Sequence, residues 1–521
     1  MKKVAIIGAG VSGLTAGIYA AKSGFDVSVY EQHFVSGGTC TSWKRKGYTF
    51  EGAVHWLTGS KKGLPLNKLW MQTGALSDDI KLFRNDPYLV YETNGKKICL
   101  FRDLEKLRLH FLEIAPEDKK NIQILYSDIK KMMAIKVPVL NVPGVRVNDK
   151  SGFKLFDILN LIPSMPAYMR LKKISMEEYV SKFKNIELKT LLSNIVTNEF
   201  SALSGVMTLA TFINDGGFPE GGSKDMIERM ENKLKYLGGK IHLKSKVDKI
   251  LVDDKKVTGL VVNGEKVYAD HVIVTKDILS SMSLFDKSVS EKWIEKLKKD
   301  SSQICTFVSL GIKADLSHMP HGILISLNEP LDIAGIKYKA LKLNNYACYN
   351  EDFAPKGCSS VTINCTGDSY DFWRQKKENG EYEDAKEEVS KKIIKAIEEK
   401  FPEICGKIEV VDVATPLTYE RYTGSYKGSW MVKLAKKSKM NMKLGKSNKV
   451  SNLYFAGFRL TKPGGFPIAL MTGRRCVQML CRDVNYVFED KERNLSKKNL
   501  YAKILDAVVY VISLARRLIK I

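Results

Sequence analysis

The 521-residue chain has nine cysteines but no Cys-x-x-Cys pair. Its two nearest cysteines, Cys476 and Cys481, are too far apart for a dithiol redox motif, and an odd number gives no even disulfide framework. Reduced thiols in a cytosolic protein are the expectation, and the missing dithiol motif argues against a disulfide reductase. No HExxH, cysteine-ligand cluster or nucleophile elbow occurs, so metal-dependent hydrolysis and acyl transfer are not expected, and neither is a bound metal. No secretory signal is read, because the first apolar segment, Val4–Ile7, runs straight into glycines. Internal repeats and long low-complexity tracts are also missing. Acidic residues are comparatively few, 58 against 83 Lys and Arg, for a net charge of +25.

The length suggests two or three structural units, and a 44% hydrophobic content can fill large cores. The basic excess points to a polyanion, either nucleic acid or an anionic lipid surface. The lysines are scattered (Lys2, Lys3, Lys61, Lys62, Lys436, Lys437, Lys439) and no nucleic-acid fold signature accompanies them. The expectation is therefore no nucleic acid and a membrane surface as partner. A generally lysine-biased protein would carry the same charge.

Residues 2–32 read KKVAIIGAGVSGLTAGIYAAKSGFDVSVYEQ. Val4–Ile7 has the continuous apolarity of a central parallel strand. Gly8, Gly10 and Gly13 follow as GxGxxG, and a helix from about Val11 to Lys22 presents its N-terminus, with Val11 and Ser12, to phosphates. A second strand, Asp26–Tyr30, delivers Glu31 and Gln32. An acid there accepts hydrogen bonds from an adenosine ribose and disfavours a 2′-phosphate. This is a dinucleotide site, with NAD and FAD both still open.

Two further segments bear on that choice. Gly37–Gly59 begins with Gly37, Gly38 and Thr39, where backbone can approach a second part of a long cofactor. Ser451–Leu480 reads as a strand (Leu453–Ala456), Gly457, the turn Pro463-Gly464-Gly465, then Phe466 and a helix from Ile468 to Leu480. Such a unit can return to the N-terminal sheet and meet the cofactor at its helix start. No second GxGxxG follows a strand, so a separate NAD(P)H domain is absent.

Together with GYTFEGAVHWLTG, the FPEGG…KSKVDKI stretch ending at Val247, ATPLTYERYTGSYKGSW and AGFRLTKPGGFP, these segments resemble the FAD-dependent family of phytoene desaturases, carotenoid isomerases and retinol saturases over nearly the whole chain. The resemblance implies FAD, with the backbone around Val247 holding the adenine. Two positions depart from the family pattern. Thr39 stands where arginine is often found, and Lys462 where histidine often precedes PGG.

The expected fold class is α/β: a Rossmann-like FAD domain of glutathione-reductase type with an inserted α+β substrate domain. Residues 1–75, 205–285 and 440–488 form the discontinuous FAD domain, with a hairpin at Asn263-Gly264. Residues 76–204 and 286–439 form the substrate or cap domain. Its helical part has a start at Pro116; its strands include CTFVSLGI and SSVTINC, and EDAKEEVSKKIIKAIEEKF is an amphipathic helix. Phe153–Lys173 is apolar and broken by two prolines, suiting a lipid entrance or a kinked cap helix. Residues 489–521 end the chain as an amphipathic helix. Tyr501, Ile504, Leu505, Val508, Val511 and Ile512 share one face, with Lys503, Arg517 and Lys520 on the other. Its apolar core is too short to span a bilayer, so it lies at an interface or docks on the body or a second copy.

The expected activity is oxidoreduction at a carbon–carbon double bond of a lipophilic isoprenoid, carotenoid, retinoid or other lipid: saturation, desaturation or redox-neutral isomerisation. FAD supplies the redox chemistry, and alignment of the substrate dominates the barrier. The electron partner stays open. Candidate acid–base residues are Glu51, His55, Tyr422 and Lys462, and each has an ordinary structural role as its alternative. A flavin amine oxidase with an aromatic cage of Tyr419, Tyr422, Tyr426 and Trp430 is the rival enzyme reading. A non-catalytic flavin-bound membrane adaptor is the rival outside enzymes. The expected location is cytoplasmic and peripherally membrane-associated.

Overall fold

Val4–Ile7 offers no polar side chain to water, so it must be covered on both faces. The computed structural model describes residues 1–93, 95–148, 161–285, 291–349, 351–438 and 445–490. It places this run in β1 (Lys3–Ile7), the middle of a five-stranded sheet ordered Lys240–His242, β2 (Asp26–Tyr30), β1, His271–Val274, Leu453–Phe455. Every neighbouring pair is parallel, with Val4 beside Val27 on one side and His271 on the other. Three distant stretches of chain thus build one sheet. Helix α1 (Val11–Lys22) packs against helix Phe466–Asp483, and Gly473 permits the approach, since a Cβ there would sit 2.5 Å from the Ser12 carbonyl oxygen. Strands Val247–Asp253, Lys256–Val262 and Glu265–Tyr268 form an antiparallel sheet of their own, turning at Asn263-Gly264.

A seven-stranded mixed sheet runs Ile408–Ala414, Cys305–Ile312, Ser359–Thr366, Ile336–Asn345, Gly322–Ile333, Leu89–Thr93, Lys96–Leu100. Only Gly322–Ile333 and Leu89–Thr93 pair in parallel. Helices Tyr370–Glu378 and Tyr382–Lys400 roof one face, packing Trp373, Ile393 and Ile397 on Val308, Leu310 and Ile363. In the longer helix Ala385, Val389, Ile393 and Ile397 recur every fourth residue, as a one-sided helix requires. Each buried isoleucine there is worth roughly 1.5–3 kcal/mol. The exposed Glu387–Lys391 and Glu388–Lys392 pairs add at most about 1 kcal/mol each, so burial holds the helix down.

On the opposite face, helices Leu104–Ile114, Lys119–Met133 and Ala202–Asn214 share a core with Leu89, Tyr91 and Leu324. Asp103 caps the first of these by accepting from Lys106 N. The rest of that face meets residues 48–55: Tyr48 lies against Gly311, and Ser360 Oγ donates to the Thr49 carbonyl at 2.8 Å.

The chain around Val142 returns from the inserted region to the parallel-sheet half. Val142 N donates to Gln478 Oε1, and Arg146–Val147 pairs with Val487–Phe488. Of the apolar stretch Phe153–Lys173, residues 161–173 are described, including helix Met165–Lys173; the part up to residue 160 and the tail Asn499–Ile521 lie outside the described residues. Among the described residues no helix is long and apolar enough to cross a membrane.

Candidate cofactor site

β1 ends at Ile7, and Gly8 after it, with a φ of +102°, turns the chain sharply into α1. A Cβ on Gly13 would lie 1.9 Å from the Gly8 oxygen, so only hydrogen fits between strand and helix. The Gly10 N-cap brings no side chain to the first amides of α1. Glu31, at the end of β2, accepts from Ala9 N at 2.8 Å and His33 N at 2.9 Å. The first bond ties the acid to the glycine loop, the second braces it on its own segment, and further carboxylate lone pairs stay free. Gly37 bonds through its N–H to the Ala9 carbonyl at 2.9 Å, which brings the second glycine pair alongside the first loop.

These elements wall an open cleft of about 1030 Å³, solvent-facing space included. Gly8, Gly10, Val11, Ser12, Glu31, Gln32, Gly37, Gly38, Thr39 and Val247 line it. From the far end of the chain come Gly457, Gly465 and Phe466, where helix Phe466–Asp483 starts with no side-chain cap. Gly13, Gly464 and Ile468 stand behind the wall. Gly464 N donates to the Val432 carbonyl at 3.0 Å, and Ile468 N closes the first turn on Gly465.

The cleft's chemistry matches a flavin dinucleotide. Two uncapped helix N-termini, the first offering its amides to an anion, open on one space. A carboxylate stands at the end of β2, and the Trp430 indole N–H is buried in the lining without a hydrogen-bond partner.

Sequence reasoning missed Thr275, Lys276, Asp277, Phe458 and Arg459, which also line the cleft, and assigned Trp430, another lining residue, only to the rival amine cage. A signal existed for four of them. Thr275–Asp277 and Phe458 follow strands His271–Val274 and Leu453–Phe455, and ligands collect at the carboxyl ends of parallel strands. Arg459 and Asp277 form a buried ion pair, Nε to both carboxylate oxygens at 2.7 and 2.8 Å. Asp277 also accepts from Tyr426 N and Ser425 Oγ, so the pair ties three segments of the lining together. Burial lowers the pKa of Lys276, and repulsion from Lys246 adds to it.

The four acid–base candidates do not meet. Tyr422 is 44% exposed and sets its ring edge-on to His33. Lys462 is paired with Asp300. Glu51 is fully buried and accepts from Ala53 N, Val54 N and both Ser223 N and Oγ. Burial pushes its pKa up to about 7, against those hydrogen bonds. His55 faces the mixed sheet, with Nδ1 2.7 Å from the Tyr346 hydroxyl and Nε2 2.8 Å from Asn364 Nδ2. An amide N–H donates to Nε2, which leaves the proton of neutral His55 on Nδ1. Burial first, and then the charge of Lys342, holds His55 well below the usual imidazole range.

The aromatic cage does not assemble either. Tyr419 is buried, packs with Cys305 and Phe307 and donates to the Gly52 carbonyl, whereas Tyr422, one turn along the same helix, is exposed and sets its ring against His33.

The sequence family described as flavin containing amine oxidoreductase matches residues 11–481. The chain is 26% identical to the 1-hydroxycarotenoid 3,4-desaturase of Flavobacterium sp. (strain P99-3), covering 91% of this chain and 98% of that protein. It is 23% identical to the all-trans-retinol 13,14-reductase of Danio rerio, over 81% of this chain and 76% of the reductase. It is 22% identical to the chloroplastic prolycopene isomerase of Daucus carota, over 92% and 80% of the two chains. The fold matches the crystal structure of an oxidoreductase from Methanosarcina mazei with a TM-score of 0.57 at 18% identity, covering 90% and 98% of the chains.

Proposed function

The chain belongs to the flavin containing amine oxidoreductase family and is an FAD-dependent oxidoreductase; on that premise we propose that it acts on a carbon–carbon double bond of a lipophilic substrate, by desaturation, saturation or redox-neutral isomerisation. The relatives that span most of its length are a desaturase, a reductase and an isomerase, at 22–26% identity. What carries this reading over amine oxidation is a side chain on the mixed-sheet face that also carries Leu324. An amine substrate carries positive charge, and this face holds a partly buried lysine, Lys342, on which no carboxylate among the described residues acts.

In the cleft, Glu31 would take the ribose, and the Gly10–Ser12 amides the pyrophosphate. The backbone near Val247 would hold the adenine, and Gly37–Thr39 and Gly465–Phe466 would hold the far end of the cofactor. Bound FAD supplies hydride transfer in either direction. The protein's share is orientation, since an isolated or conjugated alkene has little polarity to grip. Trp56, Tyr88 and Phe212 form a continuous aromatic wall, Trp56 edge-on to both partners, which supplies flat apolar surface of the kind a polyene needs. His55 is the one of the four candidates that faces this region, and its Nδ1–H toward the Tyr346 oxygen holds a proton there. Membrane attachment belongs to the same reading. It draws on the +25 charge, the tail sequence, and exposed Ile162, Met165 and Met169 beside Lys172 and Lys173.

The test is anaerobic incubation of the FAD-loaded protein with all-trans-retinol, a carotenoid and prolycopene, reading flavin colour and product mass. Gain of two hydrogens identifies a saturase, loss of two a desaturase, and a retained mass with changed retention time an isomerase. Bleaching of the flavin by putrescine or another amine, with every polyene returned unchanged, would replace this reading with amine oxidation.

A further inference from the structure

Deep cations in this chain are generally matched. Lys433 pairs with Glu199, Arg459 with Asp277, and Lys22 donates to the Gln72 carbonyl. Lys342 has neither an ion pair nor a hydrogen bond, and, unlike Lys276, it has no carboxylate acting on it among the described residues. It lies on Ile336–Asn345, opposite Leu324 of the neighbouring strand, and its ammonium stands 5.7 Å from the centre of the Trp56 ring. Burial alone lowers its pKa to about 8, with no carboxylate near enough to oppose the shift. The titratable groups facing it are His55 and His321, both held neutral by burial and by the lysine itself. Although enclosed by protein, Lys342 keeps partial accessibility, as do His55, Trp56 and Asn364. These side chains therefore reach accessible space on this face of the sheet.

That space carries unused hydrogen-bonding capacity. Asn344 shares a strand face with Lys342, two residues along, and its Nδ2 is buried with no partner. The Asn364 Oδ1 and His321 Nε2 are likewise unpartnered. A half-buried ammonium with no counter-charge is costly to retain, and a buried amide N–H left unpaired two residues along the strand adds to the cost. One ligand chemistry relieves both. A carboxylate accepts from Lys342 Nζ and Asn344 Nδ2 together, while the Trp56 face offers an apolar shelf to the chain attached to it.

Resting on the function proposed above, we propose that Lys342 and Asn344 form a recognition site for the carboxylate of an acidic lipid, so that the substrate is a lipophilic acid and not a hydrocarbon or an alcohol. The site binds and orients without covalent chemistry. It sets which end of the molecule lies deep, and so which double bond can reach the cofactor.

The experiment uses the FAD-loaded full chain under anaerobic conditions. All-trans-retinoic acid and its methyl ester, and linoleic acid and methyl linoleate, are titrated against wild type, Lys342→Met and Lys342→Arg, following the flavin spectrum. Wild type should bind each acid about tenfold or more tightly than its ester. Lys342→Met should retain FAD and ester affinity but lose the preference for acid, and Lys342→Arg should keep part of it. Equal affinity for acid and ester in wild type, or a preference that survives in Lys342→Met, would overturn the carboxylate site and leave the double-bond reading standing. If no acid, ester, retinol or carotenoid perturbs the flavin, the double-bond reading itself fails and the site falls with it.

Discussion

Gly13 carries no functional group, yet it decides whether the first turn of α1 can rest on β1. With 1.9 Å between a would-be Cβ and the Gly8 oxygen, Gly13→Ala must push helix and strand apart. We expect about 1–3 kcal/mol of destabilisation and a purified protein that loses its yellow colour on dialysis; denaturant melts and the visible spectrum check this. Lys342 has a pH signature of its own. Its folded pKa, about 8, lies below the ordinary 10.5, so between those values the unfolded chain binds more protons and stability rises with pH. Relative to Lys342→Met, wild type should gain up to about 3 kcal/mol across that window in urea melts at stepped pH. An unchanged difference would show that the ammonium is hydrated. The glycine-loop positions of the cleft and Glu31 were legible in the sequence because glycine and acid spacing records backbone geometry, whereas Thr275–Asp277 and Arg459 were not. Lys342 was not, since a lone lysine in an alternating strand looks the same whether it points at water or at an interior space.

At the level of elements, the Arg459–Asp277 pair joins the ends of two sheet strands to the Ser425–Ser429 loop. Removing one partner leaves the other charge buried and unmatched, and Arg459→Met should cost about 3–5 kcal/mol. Weakened FAD retention should accompany the loss, measured by equilibrium dialysis alongside the melt. The strands CTFVSLGI and SSVTINC were readable because they are continuously apolar or alternate cleanly, and both lie inside the mixed sheet. Leu89–Thr93 and Lys96–Leu100 escaped sequence reading although the Asn-Gly pair in the sequence between them is a hairpin signal. Each is short, and the second opens with two lysines, which an edge strand tolerates. The return of Val142 and Arg146–Val147 to the other half has no local signal, because it depends on contacts with residues more than 300 positions away.

For the molecule as a whole, the basic excess and the tail make a testable pair. Deletion of Asn499–Ile521 should release the protein from anionic vesicles, and raised salt should weaken the intact chain's binding, both read by co-sedimentation. Retention by the truncated chain would move the contact to the surface around Ile162, Met165 and Met169. The cleft, too, is a property of the entire chain, drawing its lining from residues 7–39, 245–278, 423–430 and 456–469. Translation delivers those walls in order, so a nascent chain that has made only the first of them has nowhere to hold the flavin. Loading the cofactor must wait for the stretch at 456–469, and without flavin the first and last walls lose the molecule that bridges them.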